Sequence, residues 1–419
     1  MHSPAFNYRN GALFCEGADL TSLAETHGTP VYVYSKNAIV SRFEAYRSSF
    51  DGLPARICYA VKANSNLAVL ATLARLGAGF DIVSAGELHR VLAAGGDPAS
   101  VVFSGVGKTA AEIRFALEKG IRGFNCESEP EIETISQIAV SLNRTASIAI
   151  RVNPDVNAIT HPYISTGLRE HKFGIDIASA EAVYLRAAKL PAIALEGVSC
   201  HIGSQLLDIG PLLEASSKVL ELVKGLRSAG LPIRDLDLGG GLGVAYRPDE
   251  RTACVQNLAE CLRPKLEGLD LTLLLEPGRS IVAEAGILLT RVLLTKRNGA
   301  KLFVVVDGAM NDLIRPALYQ AHHEFLPVCQ ASDNRVITAD IVGPICETGD
   351  FFARGREIPP VASGDILAIC TTGAYGFVLS SNYNSRPRAC ELLVDGARVL
   401  VARKRETFED LIRGESPLV

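Results

Sequence analysis

From residue 57 to residue 275 the chain repeats one pattern eight times: a short apolar run, then a stretch rich in Ala, Leu, Glu and Arg. The runs occupy 57–61, 79–83, 101–104, 123–126, 148–152, 197–202, 236–238 and 273–275. They are continuously apolar rather than alternating, which fits strands buried on both faces of a parallel sheet. Between them, in stretches such as 66–76 and 85–94, apolar residues recur every three or four positions, the period of a helix. Eight strand–helix units in roughly 220 residues predict a (β/α)8 barrel. A doubly wound open sheet accommodates the same alternation and is the rival architecture.

The flanks have another texture. Residues 31–34 read as one further strand, placed outside the barrel because counting it there would make nine, and 38–50 read as a helix that leads in. After about residue 284, strand-like runs (287–296, 302–307, 335–342, 366–370, 391–394 and 397–402) are separated by turn pairs such as Asn298-Gly299 and Asp395-Gly396. Turn dipeptides between β runs are hairpin signals. The expected division is a barrel over 36–283, and a mostly antiparallel β domain formed by 284–419 with 1–35.

Composition narrows the function. A chain of 419 residues that is 48% hydrophobic and 21% charged has ample core. Its net charge of −4 gives no basic footprint for nucleic acid or an anionic membrane. The longest apolar stretches, 271–275 and 302–306, fall far short of the roughly 20 residues of a membrane helix. The first residues show no signal-peptide pattern. Ten scattered cysteines without a C-x-x-C pair suggest reduced thiols in a cytoplasmic protein, and indicate neither a disulfide framework nor a metal site.

In a barrel the chemistry gathers at the C-terminal ends of the strands. The first strand is followed by Lys62, which points into the mouth if it is not simply a surface lysine. Partial desolvation there favours the neutral amine that attacks an aldehyde. The second strand carries Asp81. The sixth ends at His201 and Ser204; such a histidine is either a satisfied rim residue or a partner for a flat ligand. The seventh runs into Gly239-Gly240-Gly241-Leu242-Gly243, where the backbone comes close to a ligand and aims N–H groups at an anion. The eighth ends in Glu276-Pro277-Gly278-Arg279. Phosphate sites in barrels recur after strands seven and eight, so the two loops together are a stronger signal than either alone. An amine, an anion cradle, an imidazole and a carboxylate are what pyridoxal phosphate requires.

With these motifs in place, the chain resembles the barrel-type (fold type III) pyridoxal-phosphate decarboxylases, and within them the diaminopimelate decarboxylase family. The resemblance rests on YAVKANSN at 59–66, GFDIVSAGEL at 79–88, HPYISTGLREHKFGI at 161–175, HIGSQ at 201–205, LDLGGGLG at 236–243, EPGRS at 276–280, RPALY at 315–319, CETGD at 346–350 and GAYG at 373–376. It implies that Lys62 takes the cofactor aldehyde, Glu276 meets the pyridine nitrogen and His201 lies on the ring face. It further implies that Gly240, Gly241, Gly278, Arg279 and Ser204 hold the phosphate, with Asp81 also at the cofactor and Tyr375 closing over it.

For a diamino-acid substrate the resemblance implies a clamp of Arg279, Arg315 and Tyr319 at the distal end. It also implies that Glu347 reads an ammonium and that Cys346, or else Lys62, is the candidate proton donor after carbon dioxide leaves, with Cys346 and Glu347 reaching the partner's site in a homodimer. Thr348 stands where the family more often has serine. The alternatives are a sibling enzyme acting on ornithine, arginine or carboxynorspermidine, a non-catalytic regulatory relative, and a racemase on the same barrel type. Ornithine and arginine lack a second carboxylate and would leave a buried Arg315 without its counter-ion.

Overall fold

The computed structural model describes residues 5–156, 172–330 and 335–418, and the chain divides into two compact units. One comprises Arg42–Val244 and Arg251–Ser280; the other comprises Met1–Ser41, Ala245–Glu250 and Ile281–Val419. The short segment Ala245–Glu250, inside the span expected for the barrel, groups with the second unit.

In the first unit eight parallel strands close on themselves: Ala55–Ala60, Gly79–Ile82, Val101–Phe103, Gly123–Cys126, Ala146–Asn153, Ile193–Ser199, Asp235–Asp237 and Thr272–Leu275. Closure is made by the eighth against the first, with Leu273 opposite Ala55 and Leu275 opposite Ile57. The expected barrel is therefore present and the open-sheet rival is excluded, since an open sheet leaves its outer strands unpaired. A two-residue strand, Ile175–Asp176, runs beside the fifth.

The apolar runs become strands because their side chains are buried. Tyr59, Phe80, Phe103 and Phe124 are enclosed completely, and the last two rings stack with centroids 6.0 Å apart. Burial of each such ring stabilises the fold by about 2–3 kcal/mol. Local chemistry starts and stops the helices. Asn66 accepts from the Ala68 N–H to cap Leu67–Arg75, and Ser84 accepts from the Glu87 N–H to cap Ala85–Ala93. Thr109 and Glu112 form a reciprocal capping box on Ala110–Lys119, which ends at Gly120 in the left-handed conformation.

The second unit is mostly antiparallel, as expected. Its principal sheet runs in the order Phe351–Ile358, Ile337–Val342, Lys301–Val306, Gly286–Asn298, Val31–Ser35, Cys390–Asp395, Arg398–Arg403. The N-terminal strand Val31–Ser35 is buried along its whole length between an antiparallel and a parallel neighbour. Both turn-pair hairpins form: Asn298 lies opposite Lys301 and Asp395 opposite Arg398, with Gly299 and Gly396 at positive φ. Other elements were not expected from sequence. Three short N-terminal strands (Phe6–Arg9, Ala12–Cys15, Ala18–Asp19) and the helix Leu20–His27 contribute Phe6, Leu13, Leu20 and Leu23 to this unit's core. Two further strands, Phe325–Pro327 and Phe351–Ile358, were also missed. Among the described residues no helix is long and apolar enough to cross a membrane.

Candidate active site

The barrel unit brings Lys62 and the acidic groups to one end. Lys62 sits in the single-turn helix Val61–Ala63 directly after the first strand. Its Nζ lies 2.8 Å from Asp81 Oδ2; the lysine side chain is 39% exposed and the aspartate fully enclosed. Where partial desolvation alone was expected, Lys62 is also ion-paired. Asp81 Oδ1 is buried and has no partner among the described residues, an acceptor in want of a donor.

Glu276, at the end of the eighth strand, is held by residues from other strand ends. Asn125 donates from Nδ2 to Glu276 Oε1 (3.1 Å), to Asp237 Oδ2 (2.9 Å) and to Ser104 Oγ (3.1 Å). Asp237 Oδ1 accepts the Gly239 N–H at 2.8 Å. Burial, then the nearby charges of Asp237 and Asp81, push the Glu276 carboxyl well above the ordinary carboxylate range. Burial raises Asp237 as well, while hydrogen bonds from Glu276, Asn125 and Gly239 oppose the rise. Burial and neighbouring negative charge thus oppose ionisation at Glu276, as expected where several carboxyls share one buried volume.

His201 is partly exposed, yet loss of solvent around its ring, followed by the positive charges of Arg151 and Lys62, keeps it well below the usual histidine range. It is neutral, and its Nδ1 accepts the Gly240 N–H at 3.3 Å, which assigns the ring hydrogen to Nε2. Arg151 supports the same loop: it donates to the His201 carbonyl at 3.3 Å and pairs with Glu127 Oε1 at 3.0 Å.

The anion cradle is built from the last three loops of the barrel. A Cβ on Gly240 would stand 2.3 Å from the Glu276 carbonyl oxygen, and Gly241 has φ +117°, so neither position admits another residue without movement. Leu206 donates its N–H to the Gly241 carbonyl at 2.9 Å, joining the sixth and seventh loops. From the eighth, a Cβ on Gly278 would stand 2.9 Å from the Ala63 Cβ and 3.0 Å from that of Ala60, and Arg279 Nη2 donates to Ser204 Oγ at 3.2 Å. Close-packed glycines, a buried guanidinium and a hydroxyl thus meet on adjoining loops, beside a lysine, a buried carboxyl and a neutral imidazole. These residues fit pyridoxal phosphate.

The β unit carries the remaining expected residues. Arg315 is buried at the head of the one-turn helix Arg315–Tyr319; Tyr319 is partly exposed at its end. Cys346, Glu347 and Thr348 are exposed on a loop braced by Asp350, which accepts the Met310 and Ile345 N–H groups at 2.7 Å each. Tyr383 donates its hydroxyl to Glu347 Oε2 at 2.9 Å. Tyr375 is partly exposed with φ +55°. Most of the motif at 161–175 lies outside the described residues. Sequence reasoning missed Asp237, Asn125, Ser104 and Arg151; the one available signal was an acid ending a buried strand, which is rarely enclosed without partners.

Residues 36–283 match the family model described as pyridoxal-dependent decarboxylase, pyridoxal binding domain. The chain is 56% identical to diaminopimelate decarboxylase of Pseudomonas aeruginosa over 99% of both chains. It resembles the crystal structure of the Helicobacter pylori diaminopimelate decarboxylase complexed with L-lysine, with 46% identity, TM-score 0.90, and 94% and 98% of the two chains covered. The M. jannaschii enzyme in complex with L-lysine aligns with TM-score 0.93 and 39% identity, over 99% of this chain and 98% of that one. Barrel, cradle, paired lysine and near-complete alignment lead to one conclusion: the chain belongs to the diaminopimelate decarboxylase family of pyridoxal-dependent decarboxylases.

Proposed function

We infer that this enzyme removes carbon dioxide from the D-configured centre of meso-2,6-diaminopimelate and leaves L-lysine, the last step of lysine biosynthesis. The observation that carries this reading is the likeness, over 99% of both chains, to an enzyme named for that substrate. The L-lysine held by the Helicobacter pylori relative supports the product.

Lys62 supplies the amine for the aldehyde of pyridoxal phosphate, with Asp81 taking up or returning the proton this exchange requires. Gly240, Gly241, Gly278, Ser204 and Arg279 bind the phosphate, and His201 lies against the ring. Glu276 meets the pyridine nitrogen. Bound there, the cofactor's ring draws in the electron pair left at the substrate α-carbon. Arg279, Arg315 and Tyr319 receive the distal end of the substrate, Arg315 matching its second carboxylate. Glu347 recognises an ammonium, and Tyr375 closes over the site. Cys346 Sγ or Lys62 Nζ returns a proton to the α-carbon.

Cys346 and Glu347 are exposed on their loop, which supports a role at the active site of a second copy and hence a homodimer. All ten cysteines are free thiols, which supports a cytoplasmic location. The test is release of carbon dioxide from a panel of meso-diaminopimelate, ornithine and arginine by purified holoenzyme. Release from diaminopimelate alone is expected; equal release from ornithine would defeat the substrate assignment. Lys62→Ala is expected to abolish turnover together with the visible absorbance of the bound cofactor.

A further inference from the structure

We propose that His323 is a positioning residue, which holds the Arg315 guanidinium in the orientation that receives the second carboxylate of the substrate. The inference rests on the reading of Arg315 as that carboxylate's partner and adds the group that aims it.

The fold brings the two side chains together from eight positions apart. The helix Arg315–Tyr319 stops at Gln320, whose φ of +52° turns the chain back, and the Ala321 N–H closes onto the Arg315 carbonyl at 3.3 Å. The chain then enters Phe325–Pro327, which pairs antiparallel with Ile366–Ile369, Phe325 opposite Ile369. Cys370 extends this ladder by donating its N–H to the Glu324 carbonyl at 2.9 Å. His323 and the Cys370 carbonyl are thereby fixed side by side.

His323 is completely buried, with Nδ1 2.8 Å from the Cys370 carbonyl oxygen. A carbonyl only accepts, so Nδ1 carries the ring hydrogen and Nε2 presents a lone pair. Arg315 Nη1 donates to Nε2 at 2.9 Å. The guanidinium also lies over the Tyr246 ring, 4.5 Å from its centroid, and that ring meets His323 edge to face at 5.4 Å. Glu250 braces Tyr246 in turn by accepting its N–H at 2.8 Å. Tyr246 sets the plane of the guanidinium and His323 its rotation within that plane. A planar fork already so aimed loses little freedom when it meets a carboxylate, and this strengthens binding without touching the reacting bonds.

The two nitrogens of His323 separate by substitution. Glutamine reaches the Nε2 position with an acceptor for Arg315; asparagine reaches only the Nδ1 position, toward Cys370. In holoenzyme, His323→Asn is expected to raise KM for diaminopimelate and the calorimetric Kd of L-lysine by about tenfold or more. It should leave kcat within about threefold, because uniform binding is what is lost. His323→Gln should restore most of the lysine affinity, and retention of pyridoxal phosphate should be unchanged in both.

Equal lysine affinity in His323→Asn and wild type, or no difference between the Asn and Gln variants, overturns the proposal. So does parallel loss of cofactor and lysine, the mark of a merely structural residue. Arg315→Gln, measured alongside, separates the two levels. If it leaves lysine affinity intact, Arg315 is not the carboxylate's partner. If it weakens lysine while His323→Asn does not, only the positioning role falls.

Discussion

Asp237 shows how much of this site is carried by a residue with no role in the sequence motif beyond preceding three glycines. Its carboxylate receives the Gly239 N–H and the Asn125 amide, and its charge adds to burial in raising the Glu276 carboxyl. Asp237→Ala strands the Gly239 N–H, while Asn125 keeps Glu276 and Ser104, and is expected to cost about 1–3 kcal/mol of stability, read by urea unfolding. A second prediction concerns Glu406, remote from the motifs. Although burial alone would raise it, hydrogen bonds from the Arg388 side chain and backbone and from Asn382 pull its carboxyl down to about 2. Between that value and the ordinary 4.5 the folded protein binds fewer protons than the unfolded chain, so stability rises with pH across this window. Glu406→Gln is expected to lose about 1 kcal/mol above pH 5, the figure discounted for solvent screening, and to match wild type near pH 2. Thermal melts across pH check this.

Among elements, the seventh and eighth barrel loops are the most constrained. With a Cβ on Gly240 falling 2.3 Å from the Glu276 carbonyl, Gly240→Ala must displace either the cradle or the acid. A loss of about 3 kcal/mol or more, with weakened retention of pyridoxal phosphate, is expected, measured by denaturation and cofactor titration. The barrel strands were legible because strands buried on both faces stay apolar along their length. Phe351–Ile358 was not, since it lies at the edge of its sheet and exposes Arg354 and Gly355. Phe325–Pro327 and the short N-terminal strands have two to four residues each, too few for a period to register. They exist because a neighbouring strand or core receives them.

For the molecule as a whole, the dimer proposal makes a quantitative statement. Lys62→Ala and Glu347→Ala proteins, the first inactive and the second strongly impaired, are expected to regain about a quarter of wild-type activity when dissociated and mixed, because random pairing yields hybrids with one intact site. No recovery would confine both residues to one chain. The sequence by itself determined the barrel and the β domain, and it marked Lys62, the glycine run and Glu276 as candidates. Each of these is written in local order: a run, a period, a glycine cluster. Only the tertiary structure decided that Lys62 is ion-paired to Asp81, that Asn125 ties Asp237 to Glu276, and that His323 meets Arg315. Asn125 and Glu276 are 151 positions apart, and no periodicity spans that distance. Which polar groups share one buried volume, and so which of them must share a proton, is settled by chain closure.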